Sequence, residues 1–321
     1  ASLEIDTAIN GGRAGTLLAT IDRTLTAPGA RLLSDRLSRP ETDAGPIGTR
    51  HDAVAFFLSE DSLRQDIRAR LKAVPDLERA RTRIRLGRGG PRDLKAIAVA
   101  ITEGHALAAA LGANETGLPR LLTDATAALD PARQPALATL AQDLMTALAE
   151  DLPTLTRDGG FIAPGWDEAL DEAQTLRRDS RKIIAGLQAR YADETGISAL
   201  KIKFNNVLGY FIDVPARHGD ALLKPPHAET FIHRQTLASN IRFSTSELSE
   251  LAGRISRAEE AARTRELELF EGLCLQVESA SDGICAAAGA LAEIDVASAG
   301  AHWADETGAV RPDIVDTPVF E

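Results

Sequence analysis

Cysteine and aromatic residues are scarce in this sequence. Two cysteines among 321 residues cannot build a disulfide framework, and on their own they cannot complete a zinc site. Nine Phe, two Tyr and two Trp are the aromatic side chains, whereas Ala and Leu recur at helical spacing. A small disulfide-stabilised secreted domain is therefore excluded, and the composition is typical of a mainly α-helical protein in a reducing compartment.

The chain also lacks excess positive charge and long apolar runs. Its 36 Lys and Arg face 47 Asp and Glu, which gives a net charge of -11 and excludes a nucleic-acid coat over the whole surface, although a local basic patch stays possible. No uninterrupted apolar run approaches the roughly 18 residues of a membrane span. Residues 1–10 do not have the basic start and apolar stretch of a signal peptide. We therefore predict a cytoplasmic protein that does not enter a membrane.

Common motifs of catalysis and metal binding are missing from the sequence. The six histidines are not at ligand spacing, no Gly-x-Ser-x-Gly occurs, and the absence of any Gly-Lys pair excludes a P-loop. The glycine-rich segment 87–91 has no following Lys-Ser/Thr, so we interpret it as the loop before a helix that begins at Pro91. We predict no metal, no cofactor and no enzymatic activity within this chain.

Apolar residues recur at steps of three and four along much of the chain, which predicts amphipathic helices. Asp61 is predicted to cap one of them, and Asp130 followed by Pro131 to open another. Cys274 and Cys285 lie eleven residues apart, about three helical turns, so we predict that both pack on one apolar face. The predicted stripes are Leu17–Leu25, Leu32–Leu37, Leu63–Leu71, Leu94–Leu107 and Leu137–Leu148.

Two longer stripes have the narrow alternation of a coiled-coil seam. The first runs from Trp166 to Tyr191 and the second from Leu248 to Leu269, with Ser244 and Glu247 predicted as a capping box at the head of the second. Two such helices on either side of one inserted segment predict an antiparallel pair with the insertion at its far end. Polar residues interrupt both seams, either as positions that set the register or as places where the helices splay apart, and we favour splaying: Arg177, Ser180 and Arg265.

The inserted segment, residues 196–243, differs from the rest of the chain in composition. Apolar and polar side chains alternate over residues 200–205 and again over 208–214, on either side of an Asn-Asn pair. Alternation with period two about such a pair predicts a β-hairpin.

The predicted β module is basic. Residues 201–243 contain six Lys or Arg against three Asp or Glu, whereas the remainder of the chain is acidic. Strand parity places Lys201 and Lys203 on one face and leaves Ile202 and Phe204 to hold the module from the other. Such a face suits contact with nucleic-acid phosphates. A solvated edge hairpin that uses lysine to deter aggregation has the same composition, so composition leaves both readings open.

Several segments resemble the MutS family of DNA mismatch repair proteins. The likeness is strongest to the family's clamp region, in ISALKIKFNNVLGYFIDV (197–214), FIHRQTLASNIRF (231–243) and ELSEL (247–251). The family's Phe-x-Glu mismatch-reading motif and its P-loop do not occur in this sequence. Further segments resemble the family's core and levers, in the family's order: Leu3–Ile5, Gly15–Thr24, Arg31–Leu33, Pro75–Arg79, Leu86–Arg88, Pro91–Leu94, Asp158–Gly160 and Leu291–Val296.

The resemblance implies a mainly α fold, a helical core with two long antiparallel lever helices and a small β-rich clamp inserted at their far end. It divides the chain into helical core and first lever helix (1–191), DNA clamp (192–245), returning lever helix and core (246–308) and a lead-in to an ATPase domain (309–321). The implied function is a non-specific grip on duplex DNA, with the levers relaying nucleotide state between the ATPase and the clamp.

The resemblance also implies site residues, cofactors and partners. ATP and Mg²⁺ serve the full-length family, not this chain. The implied partners are duplex DNA, the protein's own ATPase and mismatch-reading domains, a second copy in a homodimer and a MutL-type protein, in the bacterial cytoplasm and in association with the nucleoid. The DNA-contact residues implied by the clamp are Lys201, Lys203, Asn205, Asn206, Arg234, Gln235, Asn240 and Arg242.

Two other functions stay open from the sequence. One is that of the MutS branch that acts on recombination intermediates and lacks mismatch reading. The other is a helical scaffold that binds protein through the tip of its arm.

Overall fold

The computed structural model is mainly α-helical, with one small antiparallel sheet, and describes residues 4–9, 11–114, 116–205 and 207–315. The chain forms two compact units, the first from residues 1–163 with 270–321 and the second from residues 164–269. The helices are α1 (Leu17–Ile21), α2 (Ala27–Ser38), α3 (Ala44–Ser59), α4 (Asp61–Leu71), α5 (Leu77–Arg85), α6 (Pro91–Gly112), α7 (Arg120–Leu129), α8 (Pro135–Ala147), α9 (Glu168–Thr195), α10 (Ala216–Leu222), α11 (Ser246–Ser279) and α12 (Ser281–Thr307). The strands are β1 (Lys201–Asn205), β2 (Gly209–Pro215), β3 (Ile232–Thr236) and β4 (Asn240–Ser244).

A fully buried carboxylate on α12 joins that helix to the start of α2 in the first unit. Asp295 accepts hydrogen bonds from the backbone N–H groups of Leu25 (3.0 Å) and Thr26 (2.7 Å) and from the Thr26 hydroxyl (2.6 Å). The Thr26 hydroxyl also accepts from the Gly29 N–H and so caps α2. A Cβ at Gly29 would lie 2.2 Å from Oδ2 of Asp295, so only glycine fits there. Leu25, predicted on a helical stripe, lies beyond the end of α1.

Two helices begin differently from the sequence prediction. Asp61 is the first residue of α4 and not its cap, which is Glu60 without a side-chain hydrogen bond. Asp130 does not open α8; its Oδ1 accepts from the Ala132 N–H (2.9 Å) in a separate turn, and the helix begins at Pro135. Both differences arise because Asp residues stabilise turns and first helical turns as readily as cap positions. The predicted start of α6 at Pro91 is confirmed.

Helices α6 and α12 are long and apolar enough to cross a membrane by length and composition alone. The sequence prediction overlooked them because it searched for uninterrupted apolar runs. Half of the apolar window in α6 and 67% of that in α12 are buried inside the protein. Core helices of a folded domain have this burial, so the test by length and composition is weak evidence for a membrane.

The two cysteines lie on different helices, and the prediction that they share one face is wrong. Helix α11 ends at Ser279 and α12 begins at Ser281, so the helical phase is broken between them. Cys274 is half-buried, and burial raises the pKa of its thiol to about 11. Cys285 is exposed.

We expect a disulfide reagent such as DTNB to react with Cys285 much faster than with Cys274 at pH 8, because the thiolate is the reactive species and the Cys274 thiol is both covered and protonated. Stopped-flow absorbance should show a fast phase that Cys285→Ser removes and Cys274→Ser leaves intact. A fast phase that survives Cys285→Ser would contradict this assignment.

In the second unit, α9 and α11 run antiparallel. The carboxylate of Asp167, which caps α9, accepts from Arg265 of α11 (2.7 Å), and at the other end Arg190 is paired with Glu247. The Arg265 guanidinium also holds the pKa of Asp167 below its ordinary value. The seam predicted on α11 is confirmed by the burial of Leu248, Leu251, Ile255, Ala258 and Ala262.

The polar residues of the two seams have different settings, and the splaying predicted at them stays a prediction. Ser180 is fully buried, and Arg265 links α11 to the start of α9 through its ion pair. The side chain of Arg177 lies outside the described residues. At Arg265 an ion pair therefore links the two helices where leucine would pack in a coiled coil.

The cap of α11 is Thr245, one residue beyond the predicted Ser244. The Thr245 hydroxyl accepts from the Leu248 N–H (3.0 Å) and lies 2.8 Å from the Tyr191 hydroxyl of α9. Glu247 turns away to Arg190 and does not complete a capping box. One threonine therefore caps α11 and joins it to α9.

The sheet has the strand order β1-β2-β4-β3, with every neighbouring pair antiparallel. The predicted hairpin is confirmed as β1 and β2, with Lys203 opposite Phe211. Its turn returns into β2 at Gly209, which has φ +68°, a conformation that favours glycine. Strands β3 and β4 form a second hairpin, with a bulge between His233 and Gln235.

Candidate nucleic-acid interface

One face of the sheet is apolar and packs on the helix pair. Ile212, Val214, Ile241 and Phe243 of the sheet share one buried cluster with side chains of α9, α10 and α11. Phe204 does not belong to it, because its side chain is 60% exposed and lies against Tyr210 (5.1 Å between ring centroids). The prediction that Phe204 anchors the module is therefore wrong, and the second hairpin supplies the anchor with Phe243.

The opposite face, called here the polar face, carries seven side chains that alternate with those of this cluster, and two of the seven, Phe211 and Asp213, are also buried. Its register follows from the strand pairing, which sets Lys201 opposite Asp213 and Asp213 opposite Arg242. The residues of the polar face are Lys201, Lys203, Phe211, Asp213, Gln235, Asn240 and Arg242. Five of the eight side chains predicted to contact DNA are thus brought to one surface.

Asp213 is the centre of the polar face. Its carboxylate, 7% exposed, accepts from Nζ of Lys203 (2.6 Å) and from Nδ2 of Asn240 (2.6 Å), both at Oδ2. Nε of Arg242 lies 3.8 Å from Oδ1. Three predicted DNA-contact side chains therefore meet on one buried anion.

Arg242 is fixed by other contacts as well. Its guanidinium carbon lies 4.6 Å from the centroid of the Phe211 ring, a cation–π arrangement. Its Nη1 donates to Oε1 of Gln235 (2.8 Å). The side chain is 24% exposed, so part of the guanidinium is left accessible on the surface.

The remaining predicted residues have different settings. Asn205 ends β1, and its Oδ1 accepts from the N–H groups of Val207 (3.0 Å) and Leu208 (2.7 Å), so this side chain shapes the hairpin turn. Asn206 lies outside the described residues. Lys201 and Arg234 are exposed, and neither makes an ion pair within the part of the chain that the structure describes.

Sequence reasoning missed Asp213 and Phe211 as members of this site. A signal for both was present in the alternation, because the apolar residues of the two predicted strands share one face and leave Phe211 and Asp213 on the face of Lys201 and Lys203. A two-residue turn at the Asn-Asn pair would set Lys201 opposite Tyr210, whereas the structure pairs Asn205 with Gly209 and Lys201 with Asp213.

Positive charge is not confined to the sheet, and the prediction of an acidic remainder was too coarse. Residues 64–95 contain eleven Lys or Arg and four Asp or Glu. Several of these arginines are engaged within the first unit: Arg64 is buried against Asp61 and Asp305, and Arg83 is paired with Asp93. This segment is the competing basic surface for any polyanion.

Over the described ranges, no group of three or more His, Cys, Asp and Glu side chains is placed to hold a metal ion. The expectation of no metal or cofactor in this chain stays a prediction.

Comparison with known proteins decides the family. The model of MutS domain III matches residues 1–301, which include the whole second unit with its sheet and most of the first. The chain belongs to the MutS family. Domain III is a region other than the ATPase domain of that family.

Curated bacterial relatives give the same result. Three proteins named "DNA mismatch repair protein MutS" are similar along nearly the whole chain: 47% identity with that of Rhodopseudomonas palustris (strain BisB5) over 100% of this chain, 48% with that of Nitrobacter hamburgensis over 98%, and 46% with that of Caulobacter sp. (strain K31) over 100%. The chain spans 34–36% of the length of these relatives.

Proposed function

We propose that this chain is the part of a MutS-type mismatch repair protein that grips duplex DNA by its phosphate backbone. The polar face of the sheet makes the grip, and residues 192–245 form the clamp. The observation that carries this proposal is the convergence of predicted phosphate-binding side chains on one exposed sheet face in a chain of the MutS family.

The chemistry of the polar face suits phosphate more than bases. Ammonium and guanidinium groups and side-chain amides bind phosphate oxygens without reading sequence. Lys201 on the polar face and Arg234 at the bulge of β3 are exposed and lack ion pairs among the described residues, so they reach a phosphate at the lowest cost. Four strands about 4.8 Å apart are wider than the two-stranded ribbon that the major groove admits, so the sheet is suited to lie along a backbone and not to enter a groove.

The helix pair gives this surface a mechanical connection. Helices α9 and α11 bury their ends under the apolar face of the sheet, through Leu187 and Tyr191 on one and Leu248 and Leu251 on the other. A movement of either helix must therefore move the sheet. This supports the role of levers that relay the state of an ATPase domain to the clamp.

The wider assembly follows from family membership as a proposal. The parent protein binds ATP with Mg²⁺ in its own ATPase domain, forms a homodimer, carries a mismatch-reading domain and interacts with a MutL-type protein at the bacterial nucleoid. The names of the three relatives favour a function in mismatch repair over that of the MutS branch that acts on recombination intermediates.

Removing the two unpaired cations tests the grip. We expect Lys201→Gln with Arg234→Gln to weaken binding of the full chain to a 30-base-pair duplex roughly tenfold at low salt. The plot of log Kd against log salt should lose about two units of slope, since two phosphate contacts disappear. Fluorescence anisotropy at three salt concentrations measures both quantities.

The matched control is Arg120→Gln with Lys182→Gln, which removes the same charge from exposed side chains of α7 and α9. It should change the affinity less than twofold. Equal losses for the two pairs would mean that DNA responds only to net charge. No DNA binding, with protein ligands captured instead by the same surface, would favour the scaffold.

A further inference from the structure

We propose that Asp213 restrains the DNA affinity of the polar face by occupying the cations that would otherwise bind phosphate. This inference rests on the proposed function and adds to it a residue that sets the strength of the grip. Removing the charge of Asp213 is therefore expected to tighten DNA binding, although Asp213 is surrounded by residues of the binding surface.

The geometry places the buried carboxylate beneath cations that are more exposed to solvent than it is. Asp213 is 6% exposed and accepts from Lys203 and Asn240 at one oxygen, with Arg242 next to the other. In the part of the chain that the structure describes, every ion pair of a sheet cation ends on this carboxylate. A phosphate that approaches Lys203 or Arg242 must share each of them with Asp213.

Two costs follow for a bound phosphate. Its negative charge is repelled by Asp213, and the repulsion is screened little because the carboxylate is almost buried. The Lys203 ammonium must also turn from a 2.6 Å ion pair toward the ligand. Lys201 does not carry the second cost, because no carboxylate is paired with it among the described residues.

The cations do not depend on Asp213 for their positions. Arg242 is held by the ring of Phe211 and by Gln235, and its Nε is buried with no hydrogen-bond partner among the described residues. Lys203 lies on a paired strand. An asparagine at position 213 has the same shape and keeps an acceptor for Lys203 and Asn240, so it removes the charge and leaves the surface assembled.

The burial of Asp213 supports a role in binding over a role in folding alone. A carboxylate is costly to bury, and an apolar residue of similar size would stabilise the strand as well. A carboxylate at the centre of a cationic face lowers the net charge of that face without removing its hydrogen-bond donors. The polar face then keeps the shape that binds a DNA backbone, and it releases the DNA more easily.

The test is titration of a 30-base-pair duplex with the full chain carrying Asp213→Asn. We expect the Kd to fall about fivefold at low salt and the salt slope to steepen by about one unit, because one more cation becomes available to phosphate. Asp220→Asn is the matched control: it removes the same charge from an exposed site of α10 in the same unit. An equal gain in both variants, or weaker binding by Asp213→Asn with an unchanged melting temperature, overturns the inference.

A second comparison decides the matter even if Asp213→Asn does not fold. Lys203→Gln should weaken binding less than Lys201→Gln, because Lys203 is already neutralised by Asp213 and Lys201 is not. Equal losses, or a larger loss at Lys203, contradict the restraint. If neither single lysine variant nor the double variant of Lys201 and Arg234 changes DNA binding, the proposed grip itself is wrong. If those variants weaken binding but Asp213→Asn does not tighten it, only the proposed restraint is wrong.

Discussion

Replacing Asp295 with alanine is expected to destabilise the first unit by about 3 kcal/mol or more. Its carboxylate is fully buried and satisfies two backbone N–H groups and one hydroxyl, and each donor left unpaired in the interior costs on the order of 1 kcal/mol or more. The start of α2 would also lose its connection to α12. Urea unfolding followed by circular dichroism measures the change.

Asp124→Ala is the control, because that carboxylate lies on α7 with its side chain 73% exposed. It should change stability by no more than about 0.5 kcal/mol.

Burial raises the pKa of Asp295 in the folded state. Its contribution to stability is therefore fully present below the pKa of the unfolded state and declines as the pH rises through the pKa of the folded state. The stability advantage of the wild type over Asp295→Asn should accordingly shrink from about pH 4 upward. Equal stability of Asp295→Ala and Asp124→Ala would contradict this account of the core.

Replacing Phe243 with alanine is expected to unfold the sheet and abolish DNA binding, whereas Phe204→Ala should do neither. Both residues are phenylalanines on strands of one sheet, but Phe243 is fully buried in the cluster under the sheet and Phe204 is 60% exposed. Truncating a buried phenylalanine costs about 3–5 kcal/mol, more than four short strands are able to lose.

Amide exchange by mass spectrometry separates the two variants. In Phe243→Ala, peptides of β1–β4 should exchange rapidly while those of α6 and α12 keep their protection. In Phe204→Ala, all of these peptides should behave as in the wild type. The reverse result would mean that the contacts that hold the sheet lie around Phe204 and not around Phe243.

Periodic patterns in the sequence were sufficient to predict the long helices and the first hairpin. The apolar residues predicted along α11 are the ones buried in that helix. The alternation on either side of the Asn-Asn pair matches the two faces of the paired strands β1 and β2. Both patterns arise because one face of each element is buried against a single neighbour. The predicted start of α6 held because Pro91 suits only a first helical turn.

Features decided by tertiary contacts were not predictable in this way. Alternation along β1 placed the side chains of Phe204 and Lys203 on opposite faces of the sheet. Whether Phe204 is buried on its face depends on how far the helices beneath the sheet extend, and alternation carries no information about that. Ser180 is a weak seam position by its residue type, and its complete burial depends on tertiary packing that sequence spacing does not contain. At the candidate site, local chemistry identified the cations, and the anion that organises them became evident only from the strand register.

Lysine acetylation footprinting of the full chain with and without a 30-base-pair duplex tests the phosphate grip most directly. The chain's six lysines sample the competing surfaces: Lys72 and Lys95 in the basic stretch of the first unit, Lys182 on α9, Lys201 and Lys203 on the polar face, and Lys224 after α10. Mass spectrometry should show that DNA protects Lys201 strongly and Lys203 less, while Lys72, Lys95 and Lys182 react as in free protein. Protection of Lys72 and Lys95 with Lys201 still reactive would contradict the account and place the DNA on the first unit.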